Sequence, residues 1–194
     1  MRYCMRHVKG WMRPDRRRSG LLMATTRSRV YYQPKGVVGV IVPWNYPLAL
    51  ALGPLVSALA AGNRVMIKMS EATPRTADTL KATLAGVFPE DHVAVITGDV
   101  EVGVAFSRLP CDHLLFTGGT DIGRHIMRSA ADNLTPVTLE LGGKSPTLIT
   151  DSVPMTMAAE RICFGKAFNA GQTCVAPDYV LCPAPRVDEF VNEF

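Results

Sequence analysis

Residues 36–68, GVVGVIVPWNYPLALALGPLVSALAAGNRVMIK, contain the pattern that decides the fold. They begin with a short β-branched apolar run bounded by Gly36 and Pro43, which predicts a buried strand. A longer apolar segment follows and ends at a Gly-Asn pair, which predicts a helix. The RVMIK segment, 64–68, predicts a second strand. This order of strand, helix and strand is typical of a parallel βαβ unit.

The same alternation continues along the chain. The segment TPRTADTLKATLAGVF predicts a helix with Thr73 as its N-cap and Pro74 at its first position. Further helices are predicted near 99–108, in TDIGRHIMRSAADN and in PMTMAAERICFGKAFNAG, and further strands in HVAVITG, DHLLFTG, PVTLEL, SPTLIT and YVLCP. The sequence therefore predicts an α/β protein with a parallel sheet and helices on both faces.

The charge is unevenly distributed. The net charge is +4, but residues 1–29 carry nine Lys and Arg and one Asp, whereas the rest carries twelve basic and sixteen acidic residues. We interpret residues 1–29 as a basic, partly helical lead-in whose Val8, Trp11 and Met12 dock on the body. A tail that binds nucleic acid or an anionic surface is the alternative. The apolar runs are too short or too interrupted to predict a membrane span.

The five cysteines are odd in number and contain no C-x-x-C pair, and the four histidines show no metal-ligand spacing. Neither a disulfide framework nor a zinc site is predicted, which favours a reducing, cytoplasmic location. Cys174 follows small, polar residues in FNAGQTCVAPDYV, 168–180, which indicates an accessible, nucleophilic thiol. The others are expected to be packing residues: Cys4, Cys111, Cys163 and Cys182.

Ligands of parallel sheets bind at the carboxyl ends of the strands, where this sequence places glycines and polar residues. FTGGTDIG, 116–123, puts two glycines before a helix, which suits either a phosphate or a plain tight turn. In IKMSE, Lys68 and Glu71 suit either contacts with a phosphate and a ribose or a surface ion pair. Asn45 in PWNYP is either a rigid oxyanion donor or a turn residue. Glu140 in LELGG is either a general base or an exposed strand-end acid.

Taken together, PWNYP, IKMSEATP, FTGGTDIGR, ELGGKSP and FNAGQTC resemble, in content and order, motifs of the NAD(P)-dependent aldehyde dehydrogenase superfamily. The resemblance covers nearly the whole chain. It is strongest to the branch that includes coniferyl aldehyde dehydrogenase and the fatty and aromatic aldehyde enzymes. It implies an incomplete aldehyde dehydrogenase fold, with a lead-in at 1–29, a Rossmann-like dinucleotide-binding domain at 30–139 and the truncated start of an α/β catalytic domain at 140–194.

The resemblance also implies an activity, namely oxidation of an aromatic or long-chain aldehyde to the acid with NAD, or alternatively NADP. Cys174 would attack the aldehyde, Asn45 and the Cys174 backbone N–H would hold the oxyanion, and Glu140 would activate water. No metal ion and no nucleic acid are implied, and the full-length form is expected to be a homo-oligomer. The implied cofactor-binding residues are Pro43, Trp44, Lys68, Glu71, Phe116, Thr117, Gly118, Gly119, Leu141 and Gly142.

Two departures from the family pattern qualify these expectations. Met69 and Gly119 stand where many relatives have Pro and Ser. The chain ends at Phe194, before the family's later Glu-Phe-Gly-Pro segment, so it is expected to be a fragment. The rival hypothesis is an inactive remnant that binds only a nucleotide or a partner. A CoA-acylating relative is a further alternative, against which Glu140 argues.

Overall fold

The computed structural model describes residues 2–194. In chain order its helices and strands are α1 (Arg2–Trp11), β1 (Asp15–Arg17), β2 (Ser28–Val30), β3 (Val37–Ile41), α2 (Pro47–Ala60), β4 (Arg64–Lys68), α3 (Pro74–Ala85), β5 (Val93–Ile96), α4 (Val100–Ser107), β6 (His113–Gly118), α5 (Thr120–Ala131), β7 (Val137–Leu141), β8 (Ser145–Leu148), α6 (Met155–Ala167), β9 (Pro177–Leu181) and α7 (Val187–Glu193). Short 3-10 turns occur at Leu21–Met23, Phe168–Gly171 and Ala184–Arg186.

Five strands form one sheet in the order β5-β4-β3-β6-β7. β3 pairs in parallel with both β4 and β6, and β4 pairs in parallel with β5. The predicted α/β class with a parallel sheet is therefore confirmed. Of these five strands, β3 is the first in the chain, yet it lies at the centre of the sheet. β4 and β5 are added on one side of it and β6 and β7 on the other, so the direction of strand addition reverses beside β3. Such a reversal leaves a crevice outside the carboxyl ends of the two neighbouring strands.

Helices cover both faces of this sheet. Val38 and Val40 of β3 belong to a buried cluster that they share with Leu55 of α2. Side chains alternate along a strand, so Gly39 faces the other side. A Cβ there would lie 3.3 Å from the ring of Phe106 in α4. The GVVGVIV run is apolar throughout because both faces of β3 are buried.

Asn63 joins the end of α2 to the start of β3. Its side chain is 5% exposed. The Oδ1 atom accepts hydrogen bonds from the backbone N–H groups of Lys35, at 2.7 Å, and Gly36, at 3.1 Å. The Nδ2 atom donates to the Ala58 carbonyl at 3.0 Å. A buried amide that satisfies three backbone groups holds the end of α2 beside the start of β3.

The lead-in forms helix α1 and an antiparallel pair of strands, β1 and β2. Of the three apolar residues expected to dock on the body, Val8 is half-buried. Trp11 and Met12 are 46% and 65% exposed. Helix α1 nevertheless contacts α2, and Val8, Trp11 and Met12 line a cavity with the residues at the end of α2, so these side chains meet the body without being buried by it. The Trp11 ring also lies beside the ring of His7, at a centroid distance of 5.9 Å.

The chain divides into two compact units, of which the first runs to Glu140 and the second is Leu141–Phe194. In the second unit, β8 and β9 pair in parallel. Ile149 packs with three residues of α6 to form its buried cluster: Met155, Ala158 and Ile162. Helix α7 packs against α6.

Helix α6 is shorter than the sequence predicts. It ends at Ala167, because the backbone of Phe168 is extended at ψ 132° and Asn169 and Ala170 have φ values of 51° and 55°. These left-handed conformations turn the chain away from the helix axis before it reaches Cys174.

The cysteines differ in their exposure. Cys111 is buried, Cys4 and Cys182 are half-buried, and Cys163 and Cys174 are exposed. The expectation that all but Cys174 pack inside is therefore wrong for Cys163. Within residues 2–194, no helix combines the length and the apolar character needed to cross a bilayer. The same residues contain no cluster of three or more His, Cys, Asp or Glu side chains suited to a metal ion.

Candidate active site

A cleft of about 390 Å³ lies at the carboxyl ends of β3, β4 and β6, in the first unit. This is the position that the reversal of strand order creates. Eight of the ten cofactor-binding residues inferred from the sequence line this one cleft: Pro43, Trp44, Lys68, Glu71, Phe116, Thr117, Gly118 and Gly119. The other two, Leu141 and Gly142, belong to the second unit.

Helices α4 and α5 supply a wall of this cleft that the sequence motifs did not indicate. Its lining residues are Val100, Gly103, Val104 and Ser107 from α4, Arg108 just after it, and Ile122, His125, Ile126 and Ser129 from α5. The sequence did contain a signal for the α5 residues, since Ile122, His125 and Ser129 recur at spacings of three and four and so share one helix face. It contained no such signal for the α4 residues, because α4 is a short helix that is apolar on most sides.

Lys68 lies at the floor of the cleft and is 2% exposed. Its Nζ atom donates to the carbonyls of Met69, at 2.8 Å, and Gly98, at 3.0 Å. The alternative of a surface ion pair is therefore wrong for this lysine. Burial lowers the pKa of Lys68 below its ordinary value, and the carboxylates of Glu71 and Asp99 oppose that shift. A buried ammonium tied to two carbonyls is held in one place at the end of β4.

Gly118, the last residue of β6, and Gly119, which follows it, have different roles. A Cβ at Gly118 would lie 2.5 Å from the ring of Phe116, so a larger residue there would force that ring to shift. A Cβ at Gly119 would meet nothing within 4 Å. Gly119 is the N-cap of α5, whose first N–H groups lack partners within the helix. The end of β6 thus offers open space beside a helix start, which suits an anion.

The three candidate catalytic residues occupy both units. Asn45 is half-buried in the turn between β3 and α2, and Glu140 is exposed near the end of β7. Glu140 therefore has the exposure expected of the strand-end alternative. Cys174 is exposed in the second unit, between the turn at 168–171 and β9. Its accessibility agrees with the sequence interpretation.

Tight turns present the Cys174 thiol. Residues 169–171 have φ values of 51°, 55° and 78°. The Gln172 N–H donates to the Asn169 carbonyl at 3.1 Å. The Ala176 N–H donates to the Thr173 carbonyl at 3.1 Å, so Cys174 lies inside a closed turn. The thiol is thus held on a short, hydrogen-bonded loop rather than on a free segment.

The strand that follows this loop is anchored at its start. A Cβ at Gly165 in α6 would lie 3.3 Å from the Pro177 ring, so helix and strand approach closely here. Asp178 forms ion pairs with Lys144, at 3.2 Å, and Lys166, at 3.9 Å. The turn that carries Cys174 therefore ends on a strand that contacts both α6 and the start of β8.

The model of the Aldehyde dehydrogenase family matches residues 2–194, and the chain belongs to this family. A Pseudomonas aeruginosa protein described as a probable coniferyl aldehyde dehydrogenase is 67% identical over 192 residues. The alignment covers 99% of this chain and 40% of that protein. The family inferred from the five motifs is thus confirmed, and so is the similarity to coniferyl aldehyde dehydrogenases.

Solved structures give the same assignment. The substrate-bound Staphylococcus aureus AldH is 38% identical with a TM-score of 0.94, over 99% of this chain and 42% of that one. A Mycobacterium tuberculosis aldehyde dehydrogenase complexed with NAD+ is 37% identical with a TM-score of 0.86, over 98% and 40%. The chain therefore spans about two fifths of the length of these relatives.

Proposed function

We propose that this chain forms the cofactor-binding part and the nucleophile loop of an enzyme that oxidises an aldehyde to the carboxylic acid with NAD(P). The cleft at the ends of β3, β4 and β6 carries the proposal, because it is lined by eight of the residues that the family resemblance implies for cofactor binding. The P. aeruginosa relative's description favours coniferyl aldehyde or a similar aromatic aldehyde as substrate. A long-chain aldehyde is the alternative.

The residues of the cleft fit a dinucleotide. Lys68 has three N–H groups, of which two bond to carbonyls, so one remains for a ribose or phosphate oxygen. The open space at Gly119 lets a pyrophosphate approach the start of α5. The apolar side chains of α4 and α5 suit a flat base. When bound, the nicotinamide ring would supply the hydride acceptor that converts a thiohemiacetal into a thioester.

The exposed carboxylate of Glu71 at the cleft favours NAD over NADP, since it would repel a 2′-phosphate. Glu71→Gln is expected to raise the affinity for NADP+ relative to that for NAD+ several-fold, because it removes the charge that repels the 2′-phosphate and weakens a contact with the ribose of NAD+. Fluorescence titration of both nucleotides measures the ratio. Glu90→Gln, on an exposed loop, is the matched control. An unchanged ratio in Glu71→Gln would remove this residue from the choice of cofactor.

The chain's own residues would perform the covalent steps. The Cys174 thiolate attacks the carbonyl carbon, and the resulting oxyanion accepts hydrogen bonds from the Asn45 amide and the Cys174 backbone N–H. Glu140 then takes a proton from water, which attacks the thioester carbon. The C–S bond breaks, the acid leaves, and Cys174 is regenerated. The exposure of Glu140 is compatible with access to water.

The test is NADH formation from coniferyl aldehyde by the full-length protein that contains this chain. Cys174→Ala is expected to abolish turnover while NAD+ binding, measured by fluorescence titration, persists. Cys163→Ala, which removes the other exposed thiol, is expected to keep turnover. Equal turnover in Cys174→Ala and the unsubstituted protein would refute the assigned nucleophile.

The domain boundaries at 30–139 and 140–194, a homo-oligomeric full-length protein and a cytoplasmic location belong to the same proposal. The rival proposal, an inactive remnant, is favoured by the many exposed apolar side chains of the second unit, such as Phe164 and Val175. It predicts that the 194-residue chain binds NAD+ or a partner but forms no NADH with any aldehyde. Turnover by this chain that depends on Cys174 would exclude it.

A further inference from the structure

The loop that carries Cys174 is closed at its base. It leaves the end of α6 and returns to the start of β9. Lys166 lies in the last turn of α6 and Asp178 is the second residue of β9, and the Lys166 Nζ atom lies 3.9 Å from Asp178 Oδ1. An ion pair thus bridges the two sides of the loop at the same level where Gly165 and Pro177 approach closely.

Asp178 lies at an irregularity in the pairing of β8 with β9. Ser145 is paired with Pro177, whereas the next residue of β8, Pro146, is paired with Tyr179. Asp178 is therefore an extra residue opposite a single step of β8, which is the arrangement of a β-bulge. Bulges are rare between parallel strands, and they re-aim a side chain that would otherwise alternate with its neighbours. The bulged residue is the one that forms the ion pairs, so the irregularity and the ion pairs belong to one arrangement.

The Asp178 carboxylate is shared by lysines from two different segments. The Nζ atom of Lys144, just before β8, lies 3.2 Å from Oδ2, and that of Lys166 lies near Oδ1, the other oxygen. The Asp178 side chain is 32% exposed, less than those of both lysines. A single exposed ion pair contributes little to stability, but a network of several charges contributes more. Removal of the carboxylate would leave two ammonium groups without their shared counter-ion.

We propose that Asp178 is a positioning residue that holds the Cys174 loop in the geometry needed for attack on the aldehyde. This inference rests on the function proposed above, since it concerns the same thiol. Attack requires the sulfur and the carbonyl carbon to lie about 3–3.5 Å apart with the right orientation, and a misplacement of about 1 Å can cost about 100-fold in rate. Hydrogen bonds within the loop order its turns, and the ion pairs of Asp178 fix those turns to α6 and to the start of β8.

The first test is NADH formation from coniferyl aldehyde by the full-length protein that contains this chain. Asp178→Asn is expected to lower kcat about five- to tenfold and to leave the KM for NAD+ within about twofold, because the cleft belongs to the first unit. Asp178→Glu, which keeps the charge, is expected to keep at least about half of kcat. Glu189→Gln breaks the ion pair with Arg186, elsewhere in the second unit, and is expected to change kcat less than about twofold.

The second test measures the order of the loop without catalysis, by hydrogen exchange with mass spectrometry. The amides of Gln172 and Ala176 donate hydrogen bonds within the loop and report its opening. Asp178→Asn is expected to speed their exchange about threefold or more and to leave that of β3 unchanged. Lys166→Gln is expected to have a smaller effect in the same direction. The Lys166→Gln/Asp178→Asn variant is expected to match Asp178→Asn alone, since the two changes remove one interaction.

Three results would overturn the proposal. The first is an equal kcat in Asp178→Asn and Glu189→Gln. The second is a loss of kcat in Asp178→Glu as large as that in Asp178→Asn, since charge would then not be what matters. The third is unchanged exchange of the loop amides in Asp178→Asn. If the unsubstituted full-length protein forms no NADH, the function proposed above fails, and the exchange measurement alone decides whether Asp178 orders the loop.

Discussion

Asn63 satisfies three backbone groups in a buried position, and its removal leaves them without partners. We expect Asn63→Ala to lower the free energy of unfolding by about 2–4 kcal/mol, because each buried unsatisfied group costs about 1–3 kcal/mol. Urea denaturation of the chain measures the change. Asn133→Ala is the control, since its exposed side chain makes one bond, to the Arg108 carbonyl, and should cost about 1 kcal/mol or less. Equal losses in both variants would contradict the role given to Asn63.

The two adjacent glycines at the end of β6, Gly118 and Gly119, allow a matched comparison. Gly118→Ala is expected to lower the free energy of unfolding by about 1–3 kcal/mol, because its methyl group would overlap the Phe116 ring. Gly119→Ala is expected to change it by less than about 1 kcal/mol, since the space there is open and its φ of −71° suits alanine. Chemical denaturation of both variants distinguishes them, and a greater loss at Gly119 would show that the packing at this turn is misjudged.

Sequence motifs at this scale predicted the strand-end residues of the cleft but not the bonds that hold them. Lys68 was a candidate because it ends an apolar strand. Its bond to the Gly98 carbonyl was not predictable, since it depends on β4 and β5 being neighbours. The burial of Lys68 was missed for the same reason, because a lysine at a strand end is exposed unless a second loop covers it.

At the scale of elements, β6 and β7 are linked by a contact between a histidine and a threonine. The His113 Nε2 atom lies 2.9 Å from the Thr138 hydroxyl. Its Nδ1 atom is buried and has no hydrogen-bond partner within the described residues. Burial, together with the positive charge of Lys35, lowers the pKa of His113 below its ordinary value of 6.5.

The sign of the pH effect follows from that shift. Below pH 6.5 the unfolded chain binds a proton that the folded chain does not, so the contribution of His113 to stability is lost as pH falls through this range. We expect His113→Gln to reduce the loss of stability between about pH 7 and pH 5. Unfolding free energies measured across this range test the prediction. His92→Gln, at an exposed histidine, should leave the slope unchanged. An identical slope in His113→Gln would exclude the effect.

The end of α6 shows where element prediction failed. Alanine is the strongest helix former, and no proline follows Ala167, so the sequence favours a helix up to Gly171. The left-handed conformations of Asn169 and Ala170 are set by the turn that leads into β9, which propensity does not describe. By contrast α3 begins at Pro74 as predicted, because Thr73 and Pro74 are local signals.

At the scale of the whole molecule, the two units have buried clusters of unequal size. The first unit contains an extended cluster built from β3, β4, β5, α2 and α3, whereas that of the second unit consists of four buried residues. We expect amides of β3 and β4 to exchange with solvent at least about tenfold more slowly than those of α6, because local opening follows local burial. Hydrogen exchange with mass spectrometry measures this, and equal protection in β3, β4 and α6 would contradict it.

The class of the fold followed from the sequence, but the order of its strands did not. Repeated strand–helix alternation predicts a parallel sheet, since parallel neighbours need a crossover. The alternation is equally compatible with several strand orders. The reversal beside β3 depends on which face of the sheet each helix covers. Gly39 packs closely against Leu114 and Phe106, but this contact indicates the covered face only once the structure is known. The lead-in contacts α2, but the partial exposure of Trp11 was not predictable from its apolar character alone.

The central position of β3 has a consequence for the growing polypeptide on the ribosome. β3 and β4 are made early, but the other partner of β3 is β6, His113–Gly118, which is synthesised much later. Until β6 leaves the exit tunnel, the backbone N–H and C=O groups along one edge of β3 are unpaired, and its side chains are apolar. Chaperones bind and nascent chains aggregate in such a state. The cleft therefore comes into existence only when β6 and the helix that follows it, α5, have both left the tunnel.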